Sequence, residues 1–385
     1  MGRSADVVVV GGGIAGLTVV ETLRARGYTG GISWVGDEPH PPYNRPALSK
    51  QVLLGEWGPD DAFLLDRSRL EGLDAARITG VRATGLDLAS RRVGVGTDWL
   101  DFGSLVIATG LSARSPIGID GAERARVLRT LEDAAALAAA LRGGGRAAIL
   151  GTGILGCEIA SAARKLGLEA TLVGRRPEIG VRVFGDRVAA RIEALLRENG
   201  VDLLLDAGIA RIGPGSVTLT GGDEVEADVV VAAIGSDPQT DWLAQSGLDV
   251  SDGVLCDHLG RAAPGVYAVG DVARWRHAQT GIAARTEHQM AAIEQAQIVA
   301  GCIVGERPER APDPLFWTEL FGTRILAHGT FPAQGLLDVL EGDVEAGRFV
   351  AAHRTDGDAT GLVGWNMPRA FRLARAASLR GGAAA

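Results

Sequence analysis

The stretch DVVVVGGGIAG, residues 6–16, decides the fold. Its run of valines predicts a β-strand, its glycines predict a tight turn, and the apolar-periodic residues up to Gly27 predict a helix. A G-x-G-x-x-G turn in this context is typical of a dinucleotide-binding unit, because bare backbone and a helix N-terminus together accommodate a pyrophosphate. The predicted pyrophosphate contacts are Gly11, Gly13, Ile14, Ala15 and Gly16.

The same pattern occurs again at RAAILGTGILG, residues 146–156. Residues 146–150 predict a strand, and residues 157–166 predict the helix that follows the turn. One glycine turn is weak evidence, but two complete copies favour an α/β protein with two Rossmann-like domains that binds two dinucleotides. The second set of predicted contacts is Gly151, Gly153, Ile154, Leu155 and Gly156.

The two units differ in charge where their second strands end. The first unit continues as Gly36-Asp37, and the second continues as Gly174-Arg175 with Arg176 behind it. At this point an acid accepts a hydrogen bond from a free ribose 2′-hydroxyl, whereas an arginine accommodates a 2′-phosphate. Asp37 therefore suits FAD or NAD, and the arginine pair favours NADPH over NADH. The alternative is that both arginines are solvated loop residues.

Composition excludes several other classes of protein. The 385-residue chain is 46% hydrophobic and 22% charged, as in an ordinary globular protein, and its net charge of −8 gives no support for a nucleic-acid partner. No run approaches the roughly 20 apolar residues of a membrane span, and glycines interrupt the apolar N-terminal run, so we expect no signal peptide. Three scattered cysteines favour a reduced cytoplasmic protein without disulfides, and no metal site is predicted.

Seven further motifs follow in order: PPYNRPALSK (41–50), LVIATG (105–110), VLRTLEDAAAL (127–137), VVVAAIGSDP (229–238), GVYAVGD (265–271), EHQMAAIEQA (287–296) and FWTELFG (316–322). Together with the glycine turns, they resemble the FAD-dependent ferredoxin reductases that serve oxygenases and cytochromes P450. That family includes putidaredoxin reductase and rhodocoxin reductase and is related to apoptosis-inducing factor. The resemblance covers nearly the whole chain.

The resemblance implies a glutathione-reductase-like architecture of three parts. An FAD domain is expected from residues 1–110 and 236–311, an NAD(P)H domain from 111–235, and a C-terminal α+β domain from 312–385. The pattern itself predicts short strands in "RILAHGTF", "GLLDVLEG" and "GRFVAAHRT" of the last part, followed by a closing helix. It also predicts one long helix from Thr280 to Val304.

The resemblance further implies that Lys50 lies beside the flavin and pairs with Glu158. A cation near the isoalloxazine stabilises the negative charge of the reduced flavin, and a carboxylate fixes the position of that cation. Considered alone, both residues are equally well interpreted as charges on helix surfaces. Arg45 is expected at the neighbouring FAD phosphate or ribose.

Asp271 is expected to bind a ribityl hydroxyl, its alternative role being a helix N-cap. Trp317 is expected to cover the flavin, its alternative being a core tryptophan. The remaining expected cofactor contacts are Ala108, Thr109, Gly110, Gly235, Gly270, Glu287, His288 and Gln289.

The chain departs from the family pattern at four positions. Asn44 stands where relatives usually have Asp, Ala47 where many have proline, and Glu319 where an Asp is usual. Gln289 replaces a tryptophan that in relatives lies close to the flavin, which puts any particular electron exit path in doubt.

The favoured function is electron transfer from NAD(P)H through FAD to a [2Fe-2S]-type ferredoxin, by a monomer or homodimer. Arginines at helical spacing in the last helix are candidate contacts for an acidic ferredoxin, or else a solvated helix face: Arg369, Arg372, Arg375 and Arg380. A disulfide reductase is disfavoured because no cysteine precedes Cys157. An oxidase or quinone reductase, which Gln289 slightly favours, and a nucleotide-sensing binding protein stay open.

Overall fold

The computed structural model describes residues 3–179, 184–278, 280–306, 315–332 and 335–381. The helices are α1 (Ile14–Ala25), α2 (Arg67–Glu71), α3 (Leu131–Leu141), α4 (Ile154–Lys165), α5 (Asp186–Glu198), α6 (Gln289–Ile303) and α7 (Pro368–Gly381). In the described part of the chain, every helix is too short or too polar to cross a membrane.

The strands are β1 (Arg3–Val10), β2 (Ile32–Gly36), β3 (Ala76–Thr79), β4 (Ala83–Asp87), β5 (Arg92–Val95), β6 (Asp98–Ile107), β7 (Leu111–Ala113), β8 (Arg146–Leu150), β9 (Glu169–Val173), β10 (Val201–Leu204), β11 (Ile209–Ile212), β12 (Ser216–Leu219), β13 (Glu224–Glu226), β14 (Val229–Ala232), β15 (Ser236–Pro238), β16 (Val254–Cys256), β17 (Arg261–Ala263), β18 (Val266–Ala268), β19 (Ala273–Arg276), β20 (Ala283–Arg285), β21 (Leu315–Leu320), β22 (Thr323–Gly329), β23 (Leu336–Asp343), β24 (Arg348–Thr355) and β25 (Asp358–Trp365).

The chain divides into two compact units, each made of three segments. The first unit comprises residues 1–44, 63–112 and 237–314, and the second comprises residues 45–62, 113–236 and 315–385. The predicted division into three domains stays a prediction, and its boundary at residues 311–312 lies outside the described residues.

The first unit is built on one sheet whose central strands are parallel. Strand order is β17-β18-β6-β1-β2-β3, with β5 pairing β6 and β4 pairing β5. Strand β1 is apolar and buried from Val7 to Val10, as is typical of a central strand that has parallel neighbours on both sides and both sheet faces covered. Helix α6 packs against α1, and a second sheet has the order β16-β19-β20. This arrangement presents the β1–α1 turn at the carboxyl end of the parallel strands.

The second unit contains a parallel sheet of order β10-β9-β8-β14 and two antiparallel sheets. The smaller antiparallel sheet has the order β11-β12-β13, and the larger one has the order β21-β22-β25-β24-β23. Helix α7 packs on the larger sheet, where Phe371 is 2% exposed beside Gly364. The strands and closing helix predicted after residue 314 are confirmed, as is the predicted α/β fold with a C-terminal α+β part.

The predicted helix from Thr280 to Val304 is wrong over its first part. Helix α6 begins only at Gln289, and residues 283–285 form strand β20 instead. The antiparallel pairing of Arg274 with Arg285 and of Trp275 with Ala284 supplies the reason. Antiparallel pairing with the preceding strand β19 outweighs local helical preference over residues 283–285.

Candidate functional site

The first glycine turn joins β1 to α1 in the first unit. A Cβ on Gly11, whose φ is +137°, would lie 2.0 Å from the carbonyl oxygen of Ala108, and a Cβ on Gly16 would lie 2.0 Å from that of Gly11. Glycine is therefore required at both places. By contrast, a Cβ on Gly13 would meet nothing within 4 Å, and Gly13 caps α1 without any side-chain hydrogen bond. The N-terminus of α1 is thus open.

The second glycine turn, between β8 and α4, repeats these dimensions in the second unit. A Cβ on Gly151 (φ +118°) would lie 2.2 Å from the carbonyl oxygen of Ala233, and one on Gly156 would lie 2.0 Å from that of Gly151. Gly153 is open in the same way as Gly13. Each turn therefore fits a pyrophosphate group at a helix N-terminus, as a dinucleotide requires. Ile14, Ala15, Ile154 and Leu155 form the first turns of these two helices.

The strand ends behind the two turns carry the opposite charges that the sequence predicts. Asp37 follows β2 and pairs with the exposed Arg82 at 3.6 Å, so its carboxylate remains at the surface beside the open turn. Arg175 and Arg176 follow β9 and are both exposed. The roles predicted for these three residues stay predictions, and their exposure leaves them accessible to a bound ribose.

Lys50 lies in an irregular helical segment of the second unit. A 3-10 turn at Arg45–Ala47 continues into a π-type turn at Leu48–Val52, a geometry that occurs frequently at functional sites. The π-type turn directs Lys50 and its neighbour Ser49 inward, and both are buried. The guanidinium of Arg45 donates to the backbone carbonyl of Arg129 at 2.7 Å.

Glu158 and Lys50 form a buried ion pair, so neither is a surface charge. The Lys50 Nζ lies 2.7 Å from Glu158 Oε1, and the two side chains are only 9% and 8% exposed. Two hydroxyl groups complete the carboxylate's surroundings. Thr318 Oγ1 donates to Oε1 at 2.6 Å, and Ser49 Oγ donates to Oε2 at 2.5 Å. The ion pair and the hydrogen bonds to both carboxylate oxygens offset part of the desolvation penalty of burial.

Trp317 adjoins this pair in the second unit. The Lys50 Nζ lies 5.1 Å from the centre of a Trp317 ring, and the Arg324 guanidinium lies 5.9 Å from that residue's ring, distances at which a cation is attracted to an aromatic face. Lys50 Nζ also donates to the carbonyl of Pro46 at 3.1 Å. The ammonium group is therefore fixed by contacts with three different segments of the unit.

Arg285 contacts two of the cofactor residues predicted late in the first unit, Asp271 and Glu287. Its guanidinium pairs with Glu287 at 2.6 Å and with Asp252 at 2.8 Å, and donates to the Asp271 carbonyl at 3.4 Å. His288 is the N-cap of α6, and Gln289 is its first residue. Burial lowers the pKa of the His288 imidazole, while the nearby Asp271 carboxylate acts in the opposite direction. These groups therefore line one end of α6.

Asp271 does not begin an α-helix. It lies in a 3-10 turn at Gly270–Val272 whose N-cap is Val269, without a side-chain capping bond, and the chain then enters β19. The N-cap alternative is therefore wrong. Gly270 has φ +73° and donates its N–H to Gln295 Oε1 at 2.8 Å, which holds this turn against α6.

The remaining predicted residues lie at strand ends. The Ala108 carbonyl lies directly against Gly11. The hydroxyl of Thr109 donates to the Gln239 carbonyl at 2.8 Å, and the next residue, Gly110, has φ +68°. Gly235, in the second unit, has φ +109° and accepts from the Arg114 N–H at 3.0 Å.

Two residues that contribute to the Lys50–Glu158 network were not selected from the sequence. Ser49 and Thr318 bind the Glu158 carboxylate, yet each lies inside a quoted motif whose function was assigned to its neighbour. Asn44, one of the four departures from the family pattern, has a buried Oδ1 without a hydrogen-bond partner among the described residues.

Comparison with known proteins identifies the family. Residues 5–296 match the pyridine nucleotide-disulphide oxidoreductase family. The chain belongs to this family. Two similar relatives of this oxidoreductase are the benzene 1,2-dioxygenase system ferredoxin–NAD(+) reductase subunit of Pseudomonas putida and the biphenyl dioxygenase system ferredoxin–NAD(+) reductase component of Paraburkholderia xenovorans (strain LB400). They are 35% and 36% identical to it, and each match covers 96% of this chain and 91% of the relative.

The fold of this oxidoreductase matches the crystal structure of the covalent putidaredoxin reductase–putidaredoxin complex. The TM-score is 0.90 at 27% identity, over 97% of this chain and 92% of the other. The resemblance to ferredoxin reductases is therefore confirmed. Membership of the family implies FAD and a pyridine nucleotide as cofactors, and the two open glycine turns fit them.

Two of the three cysteines of this oxidoreductase, Cys157 and Cys256, are not placed for disulfide chemistry. Cys157 is fully buried, and burial, reinforced by the adjacent Glu158, raises the pKa of its thiol to about 12. Burial likewise raises the pKa of Cys256 to about 12. A reactive thiol needs a lowered pKa and access to its partner, so these two residues are small core side chains.

Proposed function

We propose that this oxidoreductase is an NAD(P)H-dependent ferredoxin reductase. It passes electrons from NAD(P)H through FAD to a [2Fe-2S]-type ferredoxin that serves a ring-hydroxylating oxygenase or a cytochrome P450. The observation that carries the proposal is the buried Lys50–Glu158 pair. Glu158 belongs to the helix that begins at the second glycine turn, so one element serves both nucleotide binding and the position of the cation.

The chain's own residues bind and orient both nucleotides. Gly11, Gly13 and Gly16 leave room for the FAD pyrophosphate, and Asp37 accepts from the adenosine ribose. When bound, FAD supplies the conversion of a two-electron hydride input into single-electron output. Lys50, fixed by Glu158, would stabilise the negative charge of a reduced flavin bound beside it, because the cation is already held in place.

The nucleotide donor is proposed to be NADPH. Arg175 and Arg176 are exposed directly after β9, where a 2′-phosphate would lie. The names of the two relatives above specify NAD(+). Arg175 and Arg176 are the reason for proposing NADPH as the donor of this protein instead.

An iron–sulfur ferredoxin is the proposed acceptor. The names of both relatives refer to ferredoxin, and the similar solved structure is a complex with putidaredoxin. Arg369 and Arg372 are exposed on α7, one helical turn apart, and form a basic face that an acidic ferredoxin can dock on.

A small acceptor such as a quinone or oxygen is the second candidate, because Gln289 replaces the tryptophan found near the flavin in relatives. Steady-state NADPH oxidation by the FAD-loaded protein separates these candidates. We expect rates with an oxidised dioxygenase-system ferredoxin to exceed those with menadione or oxygen by about tenfold or more, a difference of about 1.4 kcal/mol in barrier. Equal or faster reaction with menadione or oxygen would contradict the ferredoxin assignment.

A sensing role without turnover predicts a different result. In that case NADPH would change the sedimentation coefficient of the protein by dimerisation, and no acceptor would be reduced at a substantial rate. The ferredoxin-reductase proposal predicts multiple turnovers with ferredoxin whether or not the protein associates.

A further inference from the structure

The two units differ in how the end of the second strand packs on the glycine turn. In both, the first glycine of the turn donates its backbone N–H to a carbonyl near the end of the second strand, at 2.7 Å from Gly11 to Val35 and at 2.8 Å from Gly151 to Val173. The next strand-end position is Gly36 in the first unit and Gly174 in the second.

A side chain at position 174 would collide with Thr152. A Cβ on Gly174 would lie 2.5 Å from Thr152 Cγ2 and 3.0 Å from its Oγ1, both too close for non-bonded atoms. In the first unit, Gly12 takes the place of Thr152, and a Cβ on Gly36 would approach Gly12 Cα to 3.2 Å. The turn backbone alone thus leaves a tight contact of 3.2 Å in the first unit, and the Thr152 side chain shortens the closest approach to 2.5 Å in the second.

Neither partner in this contact can easily move aside. The Gly174 N–H donates to the Leu204 carbonyl at 2.9 Å, and its own carbonyl accepts from the Ala207 N–H at 2.8 Å. Thr152 is β-branched and buried, so its side chain has few alternative rotamers. Gly174 is outside the left-handed region, so backbone conformation does not require glycine there.

We propose that Thr152 is a specificity-determining residue of the pyridine-nucleotide site. Thr152 fills the space beside Gly174, so position 174 cannot carry an acidic side chain. Such a side chain at the strand end would accept a hydrogen bond from a free ribose 2′-hydroxyl. Arg175 is then the first residue beyond β9 that carries a side chain, and it suits a 2′-phosphate. The inference rests on the proposed function of this site as the NAD(P)H site and adds the residue that selects the nucleotide.

Four FAD-loaded proteins test the inference: wild type, Thr152→Ala, Gly174→Glu and the double variant. Binding of NADP+ and NAD+, which do not reduce the flavin, is measured by calorimetry. Thr152→Ala removes the two colliding atoms and keeps a Cβ at an ordinary 3.4 Å. Wild type is expected to bind NADP+ about tenfold or more tightly than NAD+. Thr152→Ala changes the nucleotide site itself, and its measured affinities supply the single-variant term from which non-additivity in the double variant is calculated.

Gly174→Glu alone is expected to weaken both nucleotides, because the added side chain displaces the strand end. In the double variant, NAD+ affinity should rise by about tenfold or more over Gly174→Glu, a non-additive effect typical of residues in contact. If Gly174→Glu alone binds NAD+ as tightly as the double variant, or if the double variant regains nothing, Thr152 does not select the nucleotide. If wild type binds neither nucleotide, the proposed function fails as well, and the two failures are thereby distinguished.

Thermal unfolding keeps the inference testable if Gly174→Glu does not fold. Gly174→Ala introduces only the colliding Cβ, and we expect it to lower the Tm of the wild type by about 3 °C or more, as overpacking does. The same substitution in the Thr152→Ala background should lower the Tm by less than half of that amount. Equal losses in both backgrounds overturn the proposal.

Discussion

Thr318 Oγ1 donates a hydrogen bond of 2.6 Å to the same Glu158 oxygen that Lys50 Nζ contacts at 2.7 Å. One carboxylate oxygen therefore joins strand β21, helix α4 and the π-type turn that carries Lys50. The Lys50 ammonium is held by a network that includes the C-terminal sheet, and not by the nucleotide-binding helix alone.

Replacing Thr318 by Val should destabilise the protein while leaving its shape nearly unchanged. The variant removes a hydroxyl that donates to a buried charged group, and such a bond contributes about 1.5–3 kcal/mol to the free energy of unfolding. Thr318→Ser keeps the donor and should retain most of the stability. Urea unfolding of both variants measures the effect, and equal losses would show that packing rather than the hydrogen bond is responsible.

Lys50→Met should be considerably more destabilising, because it leaves the Glu158 carboxylate buried without its counter-charge. Breaking a buried pair in this way costs about 3–5 kcal/mol. The Lys50→Met/Glu158→Leu double variant should recover part of that loss. Lys165→Met is the matched control, since Lys165 is exposed at the end of α4, and it should leave the unfolding free energy unchanged within about 0.5 kcal/mol.

Lys50→Met should also lower the midpoint potential of the bound flavin. Removing a fixed cation makes the negatively charged reduced form less favourable relative to the neutral oxidised form. Anaerobic redox titration with a reference dye measures the potential, and Lys165→Met again serves as the control. An unchanged potential in the Lys50→Met holoprotein would place the Lys50 ammonium out of reach of the flavin.

Gly13→Ala and Gly153→Ala should separate the two nucleotide sites. Each adds a methyl group in open space, so both proteins should fold without ligands and lose only a small amount of Tm, because alanine is a weaker N-cap than glycine. Gly13→Ala should weaken FAD about tenfold or more by obstructing the pyrophosphate, and Gly153→Ala should do so for NADP+ only. Fluorescence titration with each nucleotide checks this, and the reverse pattern would exchange the assignment of the sites.

The burial of His288 predicts a stability loss in mild acid. Because burial lowers the pKa of this imidazole below its usual value of 6.5, the folded state favours the neutral form. The stabilisation is present above pH 6.5 and is lost as pH falls through the folded pKa. His288→Gln should therefore lose less Tm between pH 7.5 and 5.5 than wild type or the exposed control His277→Gln, as measured in the same buffers at about equal ionic strength.

The sequence predicts correctly those parts of the fold in which a strand, turn and helix follow one another directly in the chain. Both glycine turns are correct because each strand, turn and helix is encoded within about twenty consecutive residues. The helix expected from Thr280 failed at its start because strand β20 is selected by pairing with β19, a contact that periodicity does not report.

The site was predictable only in part for the same reason. Lys50 and Glu158 were identified from motifs, but the network around them depends on Thr318, which is 160 residues from Glu158 in the chain. A hydroxyl that binds a distant carboxylate leaves no periodic signal, whereas a glycine required by a backbone contact does.

The most direct test of this account is the anaerobic reduction of the FAD-loaded protein by NADPH and by NADH, followed as flavin bleaching in a stopped-flow instrument. We predict that NADPH bleaches the flavin about tenfold or more faster than NADH, or reaches half-saturation at a concentration lower by about tenfold or more. Arg175→Glu should reverse this preference. A flavin that neither nucleotide reduces would contradict the assignment as an NAD(P)H-dependent reductase. Faster reduction by NADH would contradict the role of Arg175 and of Thr152.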